Sequence, residues 1–188
     1  MHPAAAPAPA PLPFLAGYPA GLQAQVRELL ATGRLAEYLA RRHPEPHAVR
    51  TSAQLYEHVQ ALKQRHLRRA PPLGKVEYDS RLLLDQRALG TLSTVSRVQG
   101  ARLQAKREIR IAAVFKDAPA AMLQMIVVHE LAHLKEREHD KAFYALCESM
   151  LPGYAQIEFD TRLHLLLRQQ QAAAPVMPLA ERSSGPPA

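Results

Sequence analysis

Two histidines and a glutamate carry the chemistry of this chain: His129, Glu130 and His133, in the run MIVVHELAHL. On an α-helix the two histidines lie about 40 degrees apart around the axis and about 6 Å apart along it, so both imidazoles can approach one cation. Glu130 is turned by about 100 degrees, outside direct coordination but within reach of a water on the ion. A divalent ion with three protein ligands keeps a position for water, whose pKa falls from about 15.7 to roughly 7, and a neighbouring carboxylate can take the proton. The residues therefore point to metal-assisted hydrolysis with Glu130 as general base. An ordinary solvated helix with two histidines is the plain alternative. The apolar residues around them oppose it, because unpaired imidazoles in a buried helix are costly.

The third ligand is less sharply specified. His139 completes HELAHLKEREH, with five residues between it and His133. In an unbroken helix it would lie about 15 Å from His129 along the axis, so the helix has to end between Leu134 and Glu138. Metallohydrolases that turn here often use a glycine. This chain has Lys135, Glu136, Arg137 and Glu138, all helix formers. His139 is the preferred third ligand, with Glu148, Glu158 and Asp160 as alternatives from the next helices.

The elements that must position these residues follow from periodicity. Leu22, Val26, Leu29 and Leu30, then Leu35, Tyr38 and Leu39, read as two short helices broken at Thr32-Gly33. Thr51 and Gln54 offer a capping box for a third helix to about Arg69, stopped by Pro71 and Pro72. From Gly74 the pattern is that of strands: a hairpin of Lys75–Tyr78 and Arg81–Leu84 around Asp79-Ser80, then Thr91–Val98 and Glu108–Phe115. Asp117 is the expected N-cap of the helix bearing the histidines, with Pro119 in its first turn. Asp140 is expected to cap the next helix, which ends before Pro152-Gly153, and after Tyr154 the Ile157, Phe159, Leu163 and Leu166 series predicts a last helix to about Arg168. The fold class is α+β: N-terminal helices, a small, mainly antiparallel sheet, the HExxH helix and two C-terminal helices.

A chain of 188 residues with 47% hydrophobic content can bury one core. Ala, Pro and Ser dominate both ends, so residues 1–13 and 171–188 are expected to be disordered tails around a single catalytic domain at 14–170. A net charge of +7 and a pI near 9.9 favour anionic partners. Only 5% of residues are aromatic and Trp is absent, which argues against the stacking surfaces that bind single-stranded nucleic acid. Cys147 is the sole cysteine, which excludes an internal disulfide and a four-cysteine zinc site. No secretion signal or bilayer-spanning stretch is visible, so the expected location is the cytoplasm, without membrane association.

With these residues in view, MIVVHELAHLKEREHDKAFYALCESMLPGYAQIEFDTRLHL resembles the YgjP-like family of zinc-metallopeptidase type, and the similarity extends upstream through VSRVQGARLQAKREIRIAAVFKDAP. The resemblance covers all but the tails. It implies a minimal zincin-like fold, related to the SprT and WLM groups, with zinc on His129, His133 and His139 and Glu130 as the catalytic glutamate. Many members of the wider family carry Arg-Trp-Gly-Ser-Cys where this chain has Arg97, Val98, Gln99, Gly100 and Ala101, so a substrate contact by that segment does not carry over. Short YgjP-like proteins are also assigned as nucleotide pyrophosphatases acting on UTP.

Three functions therefore stand. The first is a zinc metallopeptidase, which should offer an unpaired sheet edge, with Glu108–Phe115 as the candidate, to hold an extended peptide. The second is a nucleoside triphosphate pyrophosphohydrolase converting UTP to UMP and diphosphate, with Zn2+, or Mg2+ or Mn2+, as its ion. It should converge basic side chains on the ion, with Arg97, Arg102, Lys106, Arg107 and Arg110 as candidates. The third is a non-catalytic module stabilised by zinc, which would have no use for Glu130. His43 and His47, separated by prolines, read as linker residues; His58, His66 and His164 as isolated groups; Cys147 as a buried inert thiol. Asp160 reads equally as a group orienting a ligand histidine or as a partner of Arg162 or helix cap.

Overall fold

The structure is a computed structural model, and it describes residues 12–82, 90–99 and 102–173. A 3-10 turn at Pro13–Leu15 leads into α1 (Ala20–Ala31) and α2 (Arg34–Arg42). Between them Gly33 takes a left-handed φ of 69°, and the Thr32 hydroxyl donates to Glu28 O at 2.8 Å. Helix α3 (Ser52–His66) begins with the expected capping box: Gln54 N donates to Thr51 Oγ1, and Thr51 N to Gln54 Oε1. Its inward stripe is Leu55, Val59 and Leu62.

Three strands form one sheet in the order β1-β3-β2, with β1 at Leu73–Asp79, β2 at Gly90–Gln99 and β3 at Arg102–Ala112. β2 and β3 pair antiparallel from Gly90↔Ile111 to Gln99↔Arg102. β1 pairs parallel with β3, placing Val76 opposite Ile109 and Tyr78 opposite Ile111. The sheet is therefore mixed, which corrects the expectation of a mainly antiparallel one. The expected hairpin fails because Asp79 Oδ1 accepts the Arg81 N–H at 2.9 Å, a turn that ends β1 instead of folding it back. Burial of Ile109 and Ile111 then draws β1 alongside β3. Residues 83–89, including the end of that hairpin, lie outside the described residues.

Helix α4 (Ala120–Ala132) runs through the middle, touching α3, α5, α6, β2 and β3. Met122, Leu123, Met125, Ile126, Val127, Val128 and Leu131 are all buried, so it is apolar around its circumference, as a central helix must be. Its N-cap is Pro119 with no side-chain cap, and Asp117 pairs instead with Arg50 at 2.8 Å. The Ala120 N–H is satisfied by Glu45 O from the linker. Asp140 caps α5 (Lys141–Met150) by accepting from Ala142 N and Phe143 N. Helix α6 (Tyr154–Ala173) extends past the expected end at Arg168, and Leu12, buried ahead of the first turn, precedes the expected boundary at 14. Of the expected tails at 1–13 and 171–188, residues 1–11 and 174–188 lie outside the described residues. No helix among the described residues is long and apolar enough to cross a membrane.

Candidate metal centre

His129 lies in the last turn of α4 and His133 caps its end, with φ −64° and ψ −13°. The chain then leaves the helix without any glycine. Lys135 N and Glu136 N both donate to Ala132 O, closing a tight last turn, and the His133 imidazole takes Glu136 O at its Nδ1, 3.0 Å away. No residue in this loop has a positive φ. Asp140 then starts α5, so His139 sits in the loop between two capped helix ends and folds back over His129.

His139 Nε2 lies 3.1 Å from His129 Nε2. Ligand nitrogens about 2.05 Å from one tetrahedral zinc ion would be about 3.3 Å apart, so this pair is already at ligand spacing. One nitrogen from each of His129, His133 and His139 lies within 4.8 Å of the others. The fully buried Phe143 ring supports all three, with centroids at 5.0, 4.7 and 4.7 Å. Burial, then the adjacent His133 and His139 rings and Arg162, push His129 down to about 3. Burial also lowers His133. Both rings are thus neutral at pH 7, the form that offers a lone pair to a cation. The three donors fit a divalent metal.

Glu130, one residue after His129, packs against the start of β2 and is 3% exposed. Burial raises its carboxyl to about 8. Its side chain lies against the backbone of Gly90 at the start of β2: a Cβ there would stand 2.6 Å from Glu130 Oε1. The sequence reading missed Gly90, although a glycine opening a strand is a known mark of close backbone approach. It also missed Tyr154, whose hydroxyl lies 2.7 Å from His129 Nδ1 while the residue is 1% exposed. A buried tyrosine needs a polar partner, which was the available signal.

The acidic alternatives are engaged elsewhere. Glu148 accepts from Gly153 N and Tyr154 N, at 2.7 and 3.0 Å. Glu158 pairs with Arg162 at 2.6 Å. Asp160 is fully buried and accepts from Arg42 Nε, His43 Nε2, Gln156 Nε2 and Tyr38 Oη. It therefore neither orients a ligand histidine nor pairs with Arg162; it ties α6 to the end of α2. His43, expected as a plain linker residue, is part of that tie. His47 binds Phe115 O at 2.9 Å, and neither histidine joins the cluster.

The family model described as YgjP-like, metallopeptidase domain matches residues 92–163, from β2 into α6. A protein of Escherichia coli (strain K12) named UTP pyrophosphatase is 54% identical over 154 residues, which cover 82% of this chain and 92% of that protein. This chain belongs to the YgjP-like family. No solved structure matches it significantly. In this YgjP-like protein the matched segment holds the whole histidine cluster, Glu130 and Tyr154.

The expected substrate-binding features are only partly where the sequence put them. β3, the proposed peptide-holding edge, is the central strand; among the described residues the edges are β1 and β2. Of the candidate clamp residues, Arg110 is spread among Glu77, Asp79 and Glu108 at 3.5 to 3.8 Å, which removes it from the role. Arg107 is half-buried, and the side chains of Arg97, Arg102 and Lys106 lie outside the described set, as do Gly100 and Ala101. Arg162 is a cation whose field reaches His129.

Proposed function

We propose that this YgjP-like chain is a metal-dependent nucleoside triphosphate pyrophosphohydrolase that splits UTP into UMP and diphosphate. It would use the domain at 14–170, with His129, His133 and His139 as metal ligands and Glu130 as general base. The observation that carries the substrate class is the 54% identity, along 82% of the chain, with a protein named UTP pyrophosphatase. The convergent histidines support the metal part, and the basic charge suits a triphosphate. Zinc is our choice of ion because three imidazoles form a nitrogen donor set that it favours, although Mg2+ and Mn2+ serve many nucleotide enzymes.

A bound divalent ion supplies Lewis acidity, polarising phosphoryl oxygens and making water more acidic. The residues supply the rest. Water oxygen attacks the α-phosphorus, the bond from that phosphorus to the bridging oxygen breaks, and diphosphate leaves. Glu130 takes the proton from water and can return it to the products. Burial holds Glu130 near pKa 8 without an ion, and an approaching cation favours its carboxylate form, so base strength and metal loading are linked. We place the protein in a reducing compartment, the cytoplasm, where the buried Cys147 stays a thiol.

A peptidase reading retains one specific support: β2 is an edge strand whose first residue, Gly90, touches Glu130, so an extended peptide could be added alongside the base. The deciding experiment incubates metal-loaded protein with each common nucleoside triphosphate and with casein-derived peptides, using Glu130→Gln as blank. UTP turnover above the blank supports the proposal. Peptide cleavage with nucleotides untouched overturns it.

A further inference from the structure

We infer that Tyr154 is a positioning residue: its hydroxyl fixes His129 in the tautomer whose Nε2 lone pair points at the metal position. The inference rests on the metal-centre reading above. His129 Nε2 is the nitrogen that faces His139 Nε2 at 3.1 Å, so Nδ1 must carry the hydrogen if Nε2 is to bind an ion. At His133 this is settled by a backbone carbonyl, Glu136 O, which can only accept. At His129 the partner of Nδ1 is a phenol, which can accept or donate, and the tautomer depends on where the phenolic proton goes. The Cys147 sulfur is a hydrogen-bond partner of that hydroxyl and can accept from its O–H, leaving the phenolic oxygen to accept from Nδ1.

The tyrosine is itself held rigidly. Its ring is buried and nearly parallel to the His129 ring, 20° between planes at 6.5 Å. Gly153 turns the chain into α6 with φ 80°, a conformation strained for any side chain. Both oxygens of Glu148 grip the turn at Gly153 N and Tyr154 N. Glu148 is thus two steps from the ion position: it sets the turn, the turn sets Tyr154, and Tyr154 sets His129. Partners of this kind on ligand histidines are commonly worth 10–100-fold in metal affinity.

The test uses the full chain loaded with zinc. Nitrogen-15 spectra of the imidazoles should show His129 protonated at Nδ1 and metal-bound at Nε2. Tyr154→Phe, which removes one oxygen and keeps the ring, should weaken zinc binding about 10–100-fold in chelator competition. The melting temperature of the metal-free protein should stay within a few degrees. Zinc affinity within twofold of the parent, or His129 bound through Nδ1, overturns the inference even if the metal centre stands. If the parent protein binds no zinc, the metal-centre reading falls and this inference with it. Should Tyr154→Phe not fold, the tautomer of the parent protein decides alone.

Discussion

Gly90→Ala tests whether Glu130 works from the place where the fold holds it. The added Cβ would lie 2.6 Å from Glu130 Oε1, 2.9 Å from Cδ and 3.0 Å from Cγ, against about 3.4 Å for ordinary contact. The carboxylate must retreat by roughly 0.8 Å, and because it is the end of a flexible chain it moves before the backbone does. Misplacement of a catalytic group by about 1 Å can cost ~100-fold in rate, so we expect kcat to fall about 10- to 100-fold, or about 1.4 to 2.7 kcal/mol in the barrier. Stability should not fall much, since alanine is favoured over glycine in a strand by about 0.5–1 kcal/mol, offsetting the local crowding. Metal content should be unchanged, because the three atoms nearest the added Cβ all belong to Glu130. The assay is steady-state hydrolysis with metal content and melting temperature measured on the same sample. Activity within twofold of the parent would show that Glu130 does not act from this position. Loss of metal would show that the glutamate is a ligand and not a base.

Further outcomes follow from the same geometry. Glu130→Gln should retain fold and bound metal and lose hydrolysis by at least about 100-fold, the scale of one general base; retained turnover removes that role. His139→Ala should release metal during dialysis against a mild chelator, and unchanged stoichiometry would reassign the third ligand. Asp160→Ala should cost about 3 kcal/mol, near the low end for a broken buried pair because Arg42 is partly exposed, and lower the melting temperature by roughly 6–12 °C; a shift under about 2 °C would mean the α2–α6 tie carries little. Burial holds His58 and His164 below their ordinary pKa, so the unfolded chain binds more protons and stability is complete only above about pH 6.5. The metal-free melting temperature should therefore fall between pH 7.5 and 5.5, and less so in His58→Gln. An equal decline in both proteins contradicts this.

How much of this was legible depended on the range of the interactions involved. HELAH could be read because a helical turn alone brings His129 and His133 together, and the capping box at Thr51 is equally local. The parallel seat of β1 was not legible: the alternation of β1 is compatible with a hairpin or a parallel pair, and the choice is made by burial of Ile109 and Ile111 some thirty residues away. Asp160 misled for a related reason. Arg162 is near it in sequence but only two residues on, a spacing that does not face Asp160 on a helix; that arginine is taken by Glu158 at i,i+4, and Asp160 pairs with Arg42 and His43.

The missing glycine after His133 shows a local sequence rule overridden by function-bearing side chains. Lys135 to Glu138 have helical propensities worth only tenths of a kcal/mol each, whereas the His133–Glu136 hydrogen bond and the Asp140 cap contribute about 1 kcal/mol apiece. A helix that continued through these residues would forfeit both and would carry His139 about 15 Å from His129. Once His133 uses Nδ1 to hold the loop, its tautomer is set with Nε2 facing the other two histidines. The bond that ends the helix is therefore the same bond that orients the His133 ring toward the cluster, and replacing His133 should disturb the position of His139 as well as remove a candidate donor. That coupling distinguishes this loop from a glycine turn, in which ending the helix and orienting the second histidine would be independent events.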